Sequence, residues 1–262
     1  MDNNDCVLYE CTEGVALLTM NRPNVMNAFS EEMREALLVH LQEAGADPKV
    51  RCIVITGYGK AFSAGGDIAN MVGLQEANDT EVIPARIDIA GRVLNLLKTL
   101  PKPVIAAING AAAGGGMNLS LGCDMRLGSP KTFFSEAFVR IGLVPDWGGF
   151  HSLTRIVGTS KAMQLMMTGE RVPADEAFRL GLLDQLFDVE TFLDDSMAFA
   201  SRIASGPSQA LARIKEGVYL GANGTLEDVV AFERQVQTEL FLTDDSREGM
   251  KAFMEKRPPR FK

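Results

Sequence analysis

The sequence predicts an α/β core followed by a region built only from helices. Three observations carry that prediction. Short apolar runs closed by glycine or asparagine turns recur at residues 15–20, 52–56 and 103–108, the signature of buried strands. Between them lie segments with apolar residues at helical spacing, over 31–45 and 83–100. From Gly148 onward nearly every segment is helical in pattern. With 262 residues, 46% of them hydrophobic, the chain suits one substantial domain with an appendage. We place the boundary near residue 205, giving a core over 1–205 and a helical region over 206–262.

The first strand, 15–20, ends in the turn signal Asn21-Arg22-Pro23-Asn24. Ser30 then offers an N-cap, with Glu31 and Glu32 in the first turn and Leu37, Leu38 and Leu41 as the apolar stripe. The strand over 52–56 is closed by Gly57 and Gly59. Residues 72–79 have the least pattern and read as a mobile loop. Ile87, Val93, Leu94 and Leu97 make one face of the helix over 83–100. A strand over 103–108, a short buried helix over 115–121 and short strands over 125–127 and 132–134 follow. Later helices are expected over 160–167, 174–180, 191–205, 207–220 and 226–242.

Composition excludes several functions. The formal charge of −8 argues against a nucleic-acid partner, since phosphate binding needs a basic surface. Four scattered cysteines (Cys6, Cys11, Cys52, Cys123) lack C-x-x-C spacing and read as reduced thiols of a cytoplasmic protein. No metal is expected: His40 and His151 are the only histidines, and neither has ligand spacing to a cysteine. The opening MDNNDCVLYE is polar and acidic, unlike a targeting segment. The apolar tract over 104–121 is broken by Asn109, Asn118 and glycines, so it reads as core and no membrane span is expected.

Several nucleotide and hydrolase motifs fail on inspection. Leu119 stands where a dinucleotide fingerprint starting in Gly114-Gly115-Gly116 needs its last glycine. Around Gly57-Tyr58-Gly59-Lys60, Val54 replaces the first glycine of a phosphate loop and Ala61 its Ser/Thr. No G-x-S-x-G elbow exists, and His40 has no partners for a triad.

Two glycine-rich turns remain, over 60–68 and 109–118, each following a strand and entering a helix. Small residues let backbone N–H groups come close to a ligand, and a helix start adds free donors and partial positive charge. Two such ends side by side suit a thioester oxygen becoming an enolate. A third feature is LVPDWGG (143–149), where Asp146 sits among Pro145, Trp147 and glycines. It either caps the helix starting near Gly148 or does chemistry.

Six blocks in order, NRPNVMNAFS (21–30), AFSAGGDI (61–68), PVIAAINGAAAGGGMNLSLGCDMRL (103–127), LVPDWGG, TGERVPADEAFRLGLLDQL (168–186) and REGMKAFMEKRPPRF (247–261), resemble the crotonase family of enoyl-CoA hydratases and isomerases. The resemblance implies a spiral of ββα turns with a helical C-terminal trimerisation region, in a homotrimer or homohexamer. It implies an acyl-CoA substrate and no separate cofactor, the coenzyme A thioester being the substrate. The backbone amides of Ala64 and Gly115 would form the oxyanion hole. Val25, Ala28, Ala61, Ala64, Gly65, Gly66, Asp67 and Ile68 would flank the coenzyme A portion, with Asp67 a structural group of its loop. Phe253 and Lys256 match a C-terminal motif that reaches the nucleotide end, though a core phenylalanine and a solvated lysine would explain them as well. Gly114, Asn118, Phe138 and Trp147 would lie along the acyl group.

Hydratases of this family use two glutamates, at positions that here carry Asn118 and Phe138. Glu136 lies two residues from the second, but the ungapped match over 134–142 argues against its taking that role. What remains resembles the single-aspartate isomerases of 3-enoyl-CoA thioesters, with Asp146 shuttling one proton between the alpha and gamma carbons. Its apolar neighbours should raise its pKa and make it a stronger base. The alternatives are a hydratase working through Asp146 or Glu136, an aspartate-nucleophile hydrolase or dehalogenase, and a non-catalytic acyl-CoA-binding or RNA-binding relative, the acidic charge speaking against RNA.

Overall fold

The computed structural model describes residues 5–261. The first four residues of the amino-terminal stretch read above as no targeting segment lie outside the described residues. The chain opens with the antiparallel pair β1 (Val7–Thr12) and β2 (Val15–Met20), followed by α1 (Glu31–Ala46), whose N-cap Ser30 accepts from the Met33 amide as the sequence predicts. Next come β3 (Cys52–Gly57), β4 (Ala61–Ser63), α2 (Ile68–Glu76) and α3 (Val82–Thr99). A second turn of the same kind brings β5 (Val104–Ile108), β6 (Ala111–Ala113) and α4 (Gly115–Gly122). A third brings β7 (Met125–Gly128), β8 (Phe133–Ser135), a 3-10 turn (Ala137–Ile141) and α5 (Gly149–Thr168).

Each turn gives one strand to each of two sheets. The larger sheet runs β1-β2-β3-β5-β7-β10 and is parallel from β2 onward; the smaller runs β4-β6-β8-β9, with β10 (Gln185–Leu186) and β9 (Arg171–Pro173) closing them. The result is the expected spiral of ββα turns. Strand β3 is buried along its whole length because both faces of the large sheet are covered. The pleat sends Ile53 and Ile55 into the cluster shared with α1 and α3. It sends Cys52 and Val54 to the other face, against α7 (Phe192–Ala204).

The remaining helices are α6 (Ala174–Arg179), α8 (Ser208–Gly221), α9 (Leu226–Phe241) and α10 (Asp244–Met254). Helix α8 is pinned to the core by Lys215, which is buried and bonds to Asp124 and to the carbonyls of Leu97 and Lys102. Helices α9 and α10 bury little: Leu226, Phe241, Leu242, Phe253 and Met254 all face outward. Among the described residues no helix is long and apolar enough to cross a membrane.

One sequence expectation needs correction. Most of the segment read as a loop, 72–79, is the second half of α2, a helix with no buried residue and therefore no apolar stripe to read. Helix α5 starts at Gly149, where the sequence also suggests a helix near Gly148, and it breaks at Gly158 (φ 76°), whose non-helical backbone sets that first stretch apart from the helix expected over 160–167.

Candidate active site

Strands β4, β6 and β8 are parallel neighbours in the small sheet, so their carboxyl ends point the same way. From those ends come Ala64–Gly66, Gly114–Gly115 and Glu136–Phe138, the position where parallel sheets present ligands. The two glycine-rich turns noted in the sequence are thus adjacent. A side chain on Gly65 (φ 87°) would lie 2.7 Å from the Ala113 carbonyl and 2.9 Å from the Gly115 nitrogen. Only a glycine permits that approach, and it brings the two turns within backbone contact.

The segment over 22–29 closes one side of the site. Asn27, fully buried, donates to the carbonyls of Tyr58 and Ala61 and accepts from the Arg22 amide, which locks the segment onto β4. Arg22 also donates to the Ala28 carbonyl and pairs with Asp67 at 3.1 Å. Asp67 in turn caps α2 by accepting from the Asn70 amide. These bonds tie Asp67 to the 22–29 segment and to the start of α2. Val25 and Ile68 are exposed on this rim, whereas Ala28 and Ala61 are buried.

The expected oxyanion donors differ. Gly115 begins α4, where the helix start concentrates free N–H groups and partial positive charge. The Ala64 amide donates to the Met26 carbonyl at 2.9 Å. The αL conformation of Met26 (φ 52°) turns the 22–29 segment toward β4.

Asp146 reaches this corner through its neighbour. Trp147 is buried, stacks on Phe29 at 4.6 Å, and packs so tightly on Gly115 that a β-carbon there would lie 2.9 Å from the indole. Trp147 itself holds a positive φ of 47°, strain that is uncommon for a large side chain and clusters at functional sites. Helix α5 is capped at Gly148 with no side-chain bond, so Asp146 caps nothing. Its Oδ1 is buried with no hydrogen-bond partner. Burial pushes the Asp146 carboxyl up to about 6, with the Arg34 guanidinium pulling the other way. Arg34 lies on the buried face of α1, a role that its position between Met33 and Leu37 could have signalled in the sequence.

Both hydratase glutamate positions hold other side chains with other uses. Asn118 is fully buried and donates from Nδ2 to the Asp146 carbonyl at 2.9 Å. Phe138 packs its ring over Gly114, 3.5 Å from where a β-carbon would stand. Glu136, set aside on sequence grounds, is 1% exposed and neither of its carboxyl oxygens has a partner. Burial pushes it up to about 8, with Asn118 opposing the rise and Asp146 adding to it. Phe253 and Lys256 lie at the end of α10, with the Phe253 side chain outside rather than in the core. Among the described residues no group of three or more His, Cys, Asp or Glu side chains is placed to hold a metal.

The family model described as enoyl-CoA hydratase/isomerase matches residues 10–262. A probable enoyl-CoA hydratase of Rhodobacter capsulatus is 39% identical, over 97% of this chain and 97% of its own. The 1,2-epoxyphenylacetyl-CoA isomerase of Escherichia coli is 35% identical, again over 97% of each. Among solved structures, an enoyl-CoA hydratase/isomerase of Mycobacterium abscessus superposes with a TM-score of 0.94 at 33% identity, covering 98% of this chain and 99% of its own. The fold, the adjacent glycine turns and these matches agree: the chain belongs to the enoyl-CoA hydratase/isomerase family.

Proposed function

We propose that this protein moves the double bond of an enoyl-CoA between the beta–gamma and alpha–beta positions, with Asp146 as the proton shuttle. One observation carries the reading: Asp146 is a desolvated carboxyl with a free oxygen, tethered through Trp147 to Gly115, while Asn118 and Phe138 occupy both hydratase glutamate positions. The Asp146 carboxylate takes the alpha proton and becomes the acid. The thioester oxygen of the dienolate accepts from the Gly115 amide at the start of α4. The same proton then returns to the gamma carbon, and the reverse reaction uses the same groups. Ala64 serves as second donor only when its bond to Met26 opens on binding. The coenzyme A portion runs along the rim between Val25 and Ile68, and no cofactor is required.

A second reading is hydration of a 2-enoyl-CoA, favoured by the second buried carboxyl at Glu136 and by the name of the Rhodobacter relative. The two separate on one assay in heavy water. An isomerase generates enone absorbance from a 3-enoyl-CoA and loses that activity in Asp146→Asn; a hydratase bleaches a 2-enoyl-CoA. Undiminished isomerisation by Asp146→Asn would sink the first reading.

The outward apolar residues of α9 and α10 support assembly with further copies of this chain, as a homotrimer or homohexamer. Light scattering of the purified protein tests that. Four unpaired cysteines fit a reducing, cytoplasmic setting.

A further inference from the structure

Two arginines approach the Asp146 corner without an acid to pair with. Helix α1 follows β2 and α3 leads into β5, so the first turns of both helices stand at the carboxyl end of the parallel strands. Arg34 continues the buried face of α1, three residues before Leu37. Arg86 stands one turn before Ala90 of α3, and Leu37 and Ala90 share one core cluster. Burial pushes the Arg34 guanidinium down, Arg86 adds to the fall, and Asp146, Glu31 and Asp67 oppose it.

Arg34 is 8% exposed, its Nη1 is buried with no hydrogen-bond partner, and it forms no ion pair among the described residues. Its guanidinium carbon lies over Phe29, 5.9 Å from the ring centre. The same ring stacks on Trp147 and would meet a β-carbon on Gly115 at 3.2 Å. One aromatic ring therefore links Arg34 to the oxyanion donor. Arg86 donates from Nη2 to Asn70 Oδ1 in the first turn of α2, while its Nε is buried without a partner. The acids nearby leave these donors unmatched. Asp67 pairs with Arg22 at 3.1 Å, Glu31 is exposed, and Asp146 Oδ1 has no partner. Glu136, pushed up to about 8, is neutral at pH 7. Two cations thus face one carboxylate, and a plain hydrocarbon chain would leave their buried N–H groups unsatisfied.

We propose that Arg34 and Arg86 form a subsite for a carboxylate at the far end of the acyl chain, so that the substrate is the coenzyme A monothioester of an unsaturated dicarboxylic acid. A guanidinium suits this role because its planar fork presents paired N–H groups to a carboxylate. The thioester oxygen lies at Gly115, the reacting carbons beside Asp146, and the far carboxylate beyond them at the two arginines. The inference rests on the proposed function for the placing of the thioester and goes further by naming the acyl class. The phosphates of coenzyme A are the other anions of such a substrate, so the probes must share them.

Calorimetry compares hexanoyl-CoA with adipoyl-CoA, saturated probes that share every phosphate and differ in a far methyl or carboxylate. Wild type should bind adipoyl-CoA at least about tenfold more tightly. Arg34→Met and Arg86→Met, with folding checked by circular dichroism, should each remove most of that preference. Equal affinity in wild type, or a preference for hexanoyl-CoA, overturns the proposal with no variant needed. So does a full preference kept in both folded variants, since another cation would then hold the carboxylate. The kinetic arm uses 3-hexenoyl-CoA and the mono-CoA thioester of hex-3-enedioic acid, and kcat/KM should favour the second by at least about tenfold. An equal loss of kcat on both substrates in Arg34→Met, with the preference unchanged, would make Arg34 only a counter-ion of Asp146 and overturns the proposal. Failure of the isomerase reading shows separately, as Asp146→Asn retaining activity or wild type having none. The binding preference needs no turnover and is decided in either case.

Discussion

Asn118 donates its side-chain N–H to the backbone carbonyl of Asp146 across 2.9 Å, joining the first turn of α4 to the loop that carries the proposed base. An amide where hydratases of this family carry a glutamate therefore acts as a strut. Asn118→Ala should leave the fold intact, cost about 1–3 kcal/mol of stability, and lower kcat roughly tenfold or more as the loop loosens. Thermal melts and steady-state kinetics check both.

Asp146→Asn keeps the shape and removes the base. Isomerisation of a 3-enoyl-CoA should fall by about 10²–10⁴-fold, with KM within a few-fold of wild type. Exchange of the substrate's alpha protons with heavy water should fall in parallel, read by mass spectrometry.

The raised carboxyls also make stability depend on pH. Asp146 rises from 3.8 to about 6 and Glu136 from 4.5 to about 8, so the native state holds protons that the unfolded chain has released. Their contribution is fully present below pH 4 and is lost as pH climbs through about 6 and then about 8, by on the order of a few kcal/mol in all. At pH 9, Asp146→Asn and Glu136→Gln should each melt several degrees above wild type, at roughly 2–4 °C per kcal/mol. At pH 4 the gain should vanish.

Gly65→Ala tests the contact between the two glycine turns. The new β-carbon would meet the Ala113 carbonyl at 2.7 Å in a backbone conformation that disfavours it. We expect about 1–3 kcal/mol of destabilisation and loss of acyl-CoA binding by calorimetry. Gly73→Ala, where a β-carbon meets nothing within 4 Å, is the matched control.

Lys215→Met strands Asp124, which pairs with Lys215 at 2.8 Å and also accepts from Tyr219 and the Val104 amide. Breaking a buried pair from one side should cost about 3–5 kcal/mol. Denaturant unfolding should register it, and a drop in oligomer content would tie the anchoring of α8 to assembly.

The strands at 15–20, 52–56 and 103–108 were legible because their apolar runs end in strong turn signals, and α1 because Ser30 caps it as the sequence suggests. Helix α2 was not legible: a helix that buries nothing leaves no apolar period to read. Arg34 and Glu136 were missed or set aside for the opposite reason. Each is a polar side chain buried among core residues, with Arg34 Nη1 and both Glu136 oxygens lacking a hydrogen-bond partner, and its importance lies in contacts across distant segments.

By itself the sequence determined the family, the ββα alternation, the two glycine turns and the isolation of Asp146 among apolar neighbours. Those are local properties, carried by residue type and spacing. Only the tertiary structure decided that the Ala64 amide is held by Met26, that Asn118 braces Asp146, and that Glu136 is buried with its oxygens unmatched. Hydrogen bonding and burial depend on which residues meet when strands β4, β6 and β8 end side by side, and that meeting joins residues separated by tens of positions.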